Sequence, residues 1–314
     1  MLYDFHKIVE RPVDAGIILC DNEIDMEGCG YFGYNEEFRE MVKSGKYPIS
    51  RIDKCVGNIL RLKFRLGLFE NPYAAPKNKS KLHTQKHIAL AREVAEKGTV
   101  LLKNDGILPL NGKEKIALIG PNADISQLGD YIYYGYFDDN YKGECVAEES
   151  LSMKGVLERE NARFIYAKGC DFDKTDEKML TEAQAAARKA DVVILALGTN
   201  SKGGKYCGNQ NDLAQDGNRN LTVTSGEGYY LHSIELAPHE QKLFERIKYT
   251  QKPVILILYG GKPLAITKQA DDCSAILFAF GCGGQGNEAL YNILIGKVNP
   301  SGKLPITFPR STGH

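Results

Sequence analysis

The sequence predicts an α/β fold built on a mostly parallel sheet. Three observations carry this. Apolar, β-rich runs recur at residues 116–119, 192–197, 254–259 and 275–280. Each is apolar at consecutive positions rather than alternate ones, the pattern of strands buried on both faces. Helical patterns separate them, at 177–189, 240–248 and 287–295, so strands and helices alternate as in sheets covered on both sides. The runs end at Gly120, Gly198, Gly260 and Gly281. In such folds the loops leaving the carboxyl ends of strands carry ligands, and glycine allows sharp turns and close approach there.

The remaining elements follow in chain order. A helix is expected from Ser50, with Ile52, Cys55, Val56, Ile59 and Leu60 at helical spacing and Gly67 as a left-handed stop. Residues 71–84 begin with a Pro-, Ala- and Lys-rich stretch without a period and read as a linker. A second helix runs from Thr84 to about Lys97. The expected organisation is therefore a short unit over 1–70, the linker at 71–84 and the α/β domain over 85–314. The segment from Thr199 to about Leu236 is long, polar and rich in Gly and Asn. Loops of that length inside compact domains are uncommon and often functional.

Composition excludes several classes. The 314 residues are 43% hydrophobic and 25% charged, an ordinary globular make-up. Forty basic residues balance forty acidic ones, so no global basic field draws the chain to nucleic acid or anionic lipid. No apolar run approaches the ~20 residues of a membrane helix. The eight cysteines are scattered singly, with no C-x-x-C pair, so zinc-ribbon and thioredoxin readings have no support.

The remaining motifs sort by context. Gly281 to Gly286 fits G-x-G-x-x-G, but no Asp or Glu follows Glu288, and a dinucleotide site needs an acidic residue some 20 positions on. A tight strand-to-helix turn is the expectation, with no cofactor. His83 and His87 have i,i+4 spacing without a nearby third ligand, so no metal site is expected. Ser225-Gly-Glu227-Gly-Tyr-Tyr230 sets a carboxylate between glycines inside the long loop. Aromatic neighbours can raise a carboxyl pKa by desolvation, as a general acid requires. A solvated loop glutamate is the alternative.

Several ordered segments resemble the family 3 glycoside hydrolases. RIDKCVGNILRLKFRLGLFENP (51–72) is similar to the end of their first domain. AREVAEKGTVLLKN (91–104) with Leu108-Pro-Leu110 is similar to the start of their second, as are IGPNAD (119–124), YAKGC (166–170) and NPSGKLPITFP (299–309). The resemblance implies a (β/α)8-like barrel followed by an α/β sandwich. This chain is then expected to hold the barrel's last part over 1–70, the linker and the sandwich. The stretch from Asp14 to Met26 resembles the last barrel strand region. A whole barrel takes about 250 residues, so this remnant is expected to expose strand edges and apolar faces, with residues 1–45 poorly packed or clamped onto the sandwich.

The family implies retaining β-glycosidase chemistry on a β-glucoside or oligosaccharide. Its nucleophile is an aspartate of a Ser-Asp-Trp type motif on the barrel. No Trp occurs in these residues, so that half is expected to be missing and the chain inactive alone, with a separate barrel-domain chain as a conceivable partner. The acid/base lies in a G-E-G-x-D-R type loop, and SGEGY (225–229) matches its first part, which implies Glu227. Tyr230-Leu231 stands in place of Asp-Arg, and APHEQ (237–241) replaces L-P-G-x-Q. Glu235, the nearest competitor, is expected to be structural. A β-xylosidase and a non-catalytic sugar-binding module are the alternatives.

Overall fold

The computed structural model describes residues 2–28, 32–73, 80–128, 150–200, 224–226 and 231–314. The chain divides into two compact units, Met1–Leu82 and His83–His314.

The first unit is helical in its described residues: α1 (Pro12–Asp21), α2 (Glu36–Lys43) and α3 (Ile49–Arg65). The strand expected between Asp14 and Met26 is replaced by α1. Pro12 stands at the helix's first turn, where its fixed φ favours a helix and its missing N–H is no loss. Val13, Gly16 and Cys20 then fall on one buried stripe. Gly16 lets α1 run against the Gly33 backbone, since a Cβ there would lie 2.2 Å from the Gly33 oxygen. With no strand among the described residues of this unit, the expected open strand edge does not arise. Part of the stretch expected to pack poorly is well buried: Val13, Cys20 and Phe38 join Tyr47 and Cys55 in a small core. The Phe38 ring lies 5.3 Å from Tyr34 and 5.1 Å from Tyr47. α3 starts ahead of Ser50 because Pro48 takes the N-cap. It ends where Gly67 adopts φ +66 and donates to the Phe64 carbonyl at 3.0 Å.

The second unit holds six strands: β1 (Val100–Asn104), β2 (Ile116–Ile119), β3 (Phe164–Ala167), β4 (Val192–Gly198), β5 (Val254–Tyr259) and β6 (Ala275–Phe280). Its helices are α4 (Gln85–Gly98), α5 (Met153–Arg159), α6 (Glu177–Arg188), α7 (Pro238–Lys248), α8 (Thr267–Ala270) and α9 (Gly286–Leu294). The sheet order is β1-β6-β5-β4-β2-β3. All pairs are parallel except β1 with β6. The predicted mostly parallel α/β architecture is thus observed. The four strands read from sequence are its centre. β1 and β3 escaped that reading because each is a short edge strand, only partly buried.

Successive residues face opposite layers. Val193, Leu195, Leu197, Leu256 and Leu258 meet Ala183, Leu243, Phe244 and Ile247 of α6 and α7. Ile194, Ala196, Ile255, Ile257 and Leu277 meet Met153, Leu157, Leu290 and Ile293 of α5 and α9. Burial on both faces explains why these strands are continuously apolar.

Candidate active site at the carboxyl edge of the sheet

Gly120, Gly198 and Gly260 close their strands at φ +127, +117 and +150, a range L side chains rarely adopt. They also admit close neighbours. A Cβ at Gly120 would lie 2.2 Å from the Ala196 oxygen, and one at Gly198 2.1 Å from the Tyr259 oxygen. The chain therefore turns off each strand while hugging the next. Asn122 donates its N–H to the Ala196 carbonyl at 3.2 Å, and Thr199 to that of Tyr259 at 2.8 Å.

The result is a polar rim on an apolar sheet. Asn122, Thr199, Asn200 and Thr224 are all buried. Asn122 Nδ2, Ser126 Oγ and Thr199 Oγ1 are buried without a hydrogen-bond partner among the described residues, whereas such groups are normally paired. The long loop leaves through Thr199 and Asn200. It returns at Thr224, whose N–H donates to the Asn200 carbonyl at 2.8 Å, while its Oγ1 accepts from the Asn200 N–H at 2.8 Å. Ser225 N–H also donates to Asn200 O, at 3.2 Å. Gly226 follows at φ +128, a conformation that suits glycine. Glu227, the candidate proton donor, lies outside the described residues, as do Gly228, Tyr229 and Tyr230.

Two buried groups behind this rim carry no functional mark in the sequence. The first is Glu240 of α7, fully buried. Its Oε1 accepts from the Gly198 N–H at 2.8 Å and its Oε2 from the Ala237 N–H at 3.1 Å. It thus ties the start of α7 to the end of β4. Burial without a cation raises its pKa to about 7, and the two backbone N–H groups hold it from rising further. Pro238 at the first helical position and Glu240 three residues after the cap were the legible signal. The second is Asn287 of α9. Its Oδ1 accepts from the Tyr259 hydroxyl at 2.9 Å, and its Nδ2 donates to the carbonyls of Ile125 and Leu151 at 3.3 and 3.0 Å.

The other sequence candidates have visible packing roles. Glu235 bridges to Ala265 in parallel fashion and stands 3.9 Å from Lys268 Nζ. In the Gly281 to Gly286 turn, Gly286 donates to the Gly283 carbonyl at 3.0 Å. A Cβ at Gly284 would lie 2.5 Å from Ser150 Oγ, and one at Gly286 2.2 Å from Cys282 Sγ. These glycines answer to neighbouring side chains. His87 closes the capping box of α4, its Nδ1 accepting from the Thr84 N–H at 3.4 Å. Among the described residues no three His, Cys, Asp or Glu side chains cluster to hold a metal. No helix there is long and apolar enough to cross a membrane.

A mostly parallel sheet covered on both sides, with glycine-hinged polar loops at its carboxyl edge, defines an α/β sandwich domain. Residues 99–314 match the glycosyl hydrolase family 3 C-terminal domain, and the chain belongs to that family. It is 29% identical to a periplasmic β-glucosidase of Salmonella typhimurium, covering 98% of this chain and 40% of that protein. It is 30% identical to a β-xylosidase of Formosa agariphila, covering 100% and 42% respectively. A β-glucosidase of Listeria innocua solved in complex with glucose superposes at TM-score 0.74 and 27% identity, covering 98% of this chain and 38% of that one. The chain spans about two fifths of the length of these curated relatives.

Proposed function

We propose that this chain supplies the proton-donating half of a retaining β-glycosidase, with Glu227 as general acid/base and a β-glucoside or oligosaccharide as substrate. One observation carries the reading. The long loop comes back to the carboxyl edge of β4 through Thr224 and Ser225, pairing with Asn200 just ahead of Gly226. Gly226, the residue just before that glutamate in sequence, thus stands by the edge where ligands of open α/β sheets sit.

Retention needs two carboxyl groups roughly 5–5.5 Å apart. One attacks the anomeric carbon and forms a glycosyl-enzyme. The other protonates the leaving oxygen, then takes a proton from the water that releases the sugar. Glu227 fills the second role. The nucleophile belongs to a barrel domain, and no Ser-Asp-Trp motif occurs in these 314 residues. A barrel on a separate chain is the proposed partner. Exposed apolar side chains of the first unit, among them Leu62, Phe64 and Leu66, supply surface for it to cover.

The test is turnover of aryl β-glucosides. These residues alone are expected to be nearly inactive, and to gain activity on mixing with a barrel fragment that carries the nucleophile. Glu227→Gln should then lower the rate by about 10²–10⁴-fold. Strong turnover without the barrel, or a mixture indifferent to Glu227→Gln, overturns the proposal. Sugar binding without rescue favours a non-catalytic module. Because the curated relatives include both a β-glucosidase and a β-xylosidase, aryl β-xyloside belongs in the same assay as the second reading.

A further inference from the structure

The first unit contains a pair of thiols that the glycosidase reading does not use. Cys20 of α1 and Cys55 of α3 are both buried and free, and their sulfurs lie 4.0 Å apart although 35 positions separate them in sequence. Both line a cavity of about 270 Å³, together with Asp25, Tyr34, Phe38 and Val42. The cavity is wide enough for several water-sized molecules, so a molecule as small as hydrogen peroxide fits beside the sulfurs. It also leaves the side chains room to rotate. A disulfide needs the sulfurs at about 2.05 Å, a closure of some 2 Å shared between two side chains. The other cysteines of the described residues, Cys170, Cys273 and Cys282, all belong to the second unit.

We infer that Cys20 and Cys55 form a dithiol site that peroxide converts to a disulfide, stapling α1 to α3. The Cys55 thiolate attacks a peroxide oxygen. The O–O bond breaks, a sulfenic acid forms on sulfur, and the departing hydroxide takes up the thiol proton as water. Cys20 sulfur then attacks the sulfenic sulfur. The S–S bond forms, and the displaced hydroxide leaves with the second thiol proton as another water. Two thiols and one hydrogen peroxide thus give one disulfide and two waters. Burial, the neighbouring Cys20 and Asp25 push the Cys55 thiol up to about 11, and the thiolate is the nucleophile. The reaction is therefore slow at neutral pH and quickens as pH rises; Asp25, Tyr34, Arg39 and Lys43 are the titratable and charged side chains that line the cavity with the two thiols.

The experiment treats the full reduced chain with hydrogen peroxide, blocks residual thiols, digests without reductant and maps the peptides. The expected product joins the Cys20 and Cys55 peptides with the loss of two hydrogens. It is absent from Cys20→Ser and Cys55→Ser, and dithiothreitol reverses it. Closing a loop of this length restrains the unfolded chain, so the oxidised protein should melt at least about 5 °C higher. Recovery of both cysteines as blocked thiols overturns the inference. So does their oxidation to separate sulfinic acids, or their pairing with other cysteines. The wild-type peptide map decides the matter even if a serine variant does not fold.

Discussion

The two units solve the burial problem differently. The second wraps β4 and β5 so completely that every residue of both strands is buried. Among its described residues the first gathers Val13, Cys20, Phe38, Tyr47 and Cys55 into a core and leaves Phe5, Met26, Phe32, Leu62, Phe64 and Phe69 exposed. A sheet sandwiched by helices has two apolar faces to bury, whereas helices packed side by side bury only the stripe where they meet. Phe64 and Phe69 stack with ring centroids 4.4 Å apart on that exposed side of the unit's helices. The sandwich unit thus owes its stability to its own interior, and the helical unit presents apolar side chains outward.

The largest effect expected from this contrast lies at the sheet's centre. Leu195→Ala empties a site closed on all sides and should cost about 3–5 kcal/mol in chemical denaturation of the second unit. A loss below about 1 kcal/mol would mean that β4 is not the load-carrying strand of the core. Next comes Glu240. A glutamate ionises near 4.5 in the unfolded chain and near 7 in this fold. Between those values the unfolded chain has released its proton and the folded one keeps it, so stability falls as pH rises. The slope is about 1.4 kcal/mol per pH unit, or about 3 kcal/mol across the window. Glu240→Gln, which cannot ionise, should remove that slope while losing one acceptor to the Ala237 N–H. Urea titrations from pH 4 to 8 would show it, and parallel profiles for the two proteins would mean that Glu240 stays charged. The smallest effect belongs to the first unit. Phe64→Ser and Leu62→Ser sit on exposed positions and should shift stability by no more than about 0.5 kcal/mol. They should, however, lower binding of a hydrophobic dye and, on the glycosidase reading, weaken rescue by a barrel fragment. A large stability loss would show that these side chains are part of a core after all.

Much of this was legible beforehand, for physical reasons that can be named. β2, β4, β5 and β6 announced themselves because a doubly buried strand must be apolar at every position. The family was legible because its segments recur in order along the chain. The N-terminal helix was not: the stretch from Asp14 resembled a barrel strand, and only the packing of Val13, Gly16 and Cys20 against the rest of the unit, with Pro12 at the first turn, shows it as α1. β1 and β3 were missed because an edge strand is half-exposed, and its composition resembles that of a loop.

The sequence by itself determined the α/β class, the central strands, the glycines at their ends and the family, since each is written in local composition or in an ordered motif. The tertiary structure decided what no spacing encodes: that Glu240, an ordinary helix residue in sequence, reaches back to the Gly198 N–H, that Asn287 ties Tyr259 to Ile125 and Leu151, and that Cys20 and Cys55 meet. Each of these depends on which surfaces come together when the chain folds. A side chain's partners and dielectric surroundings are set by neighbours distant in sequence, and only the assembled core brings them within reach.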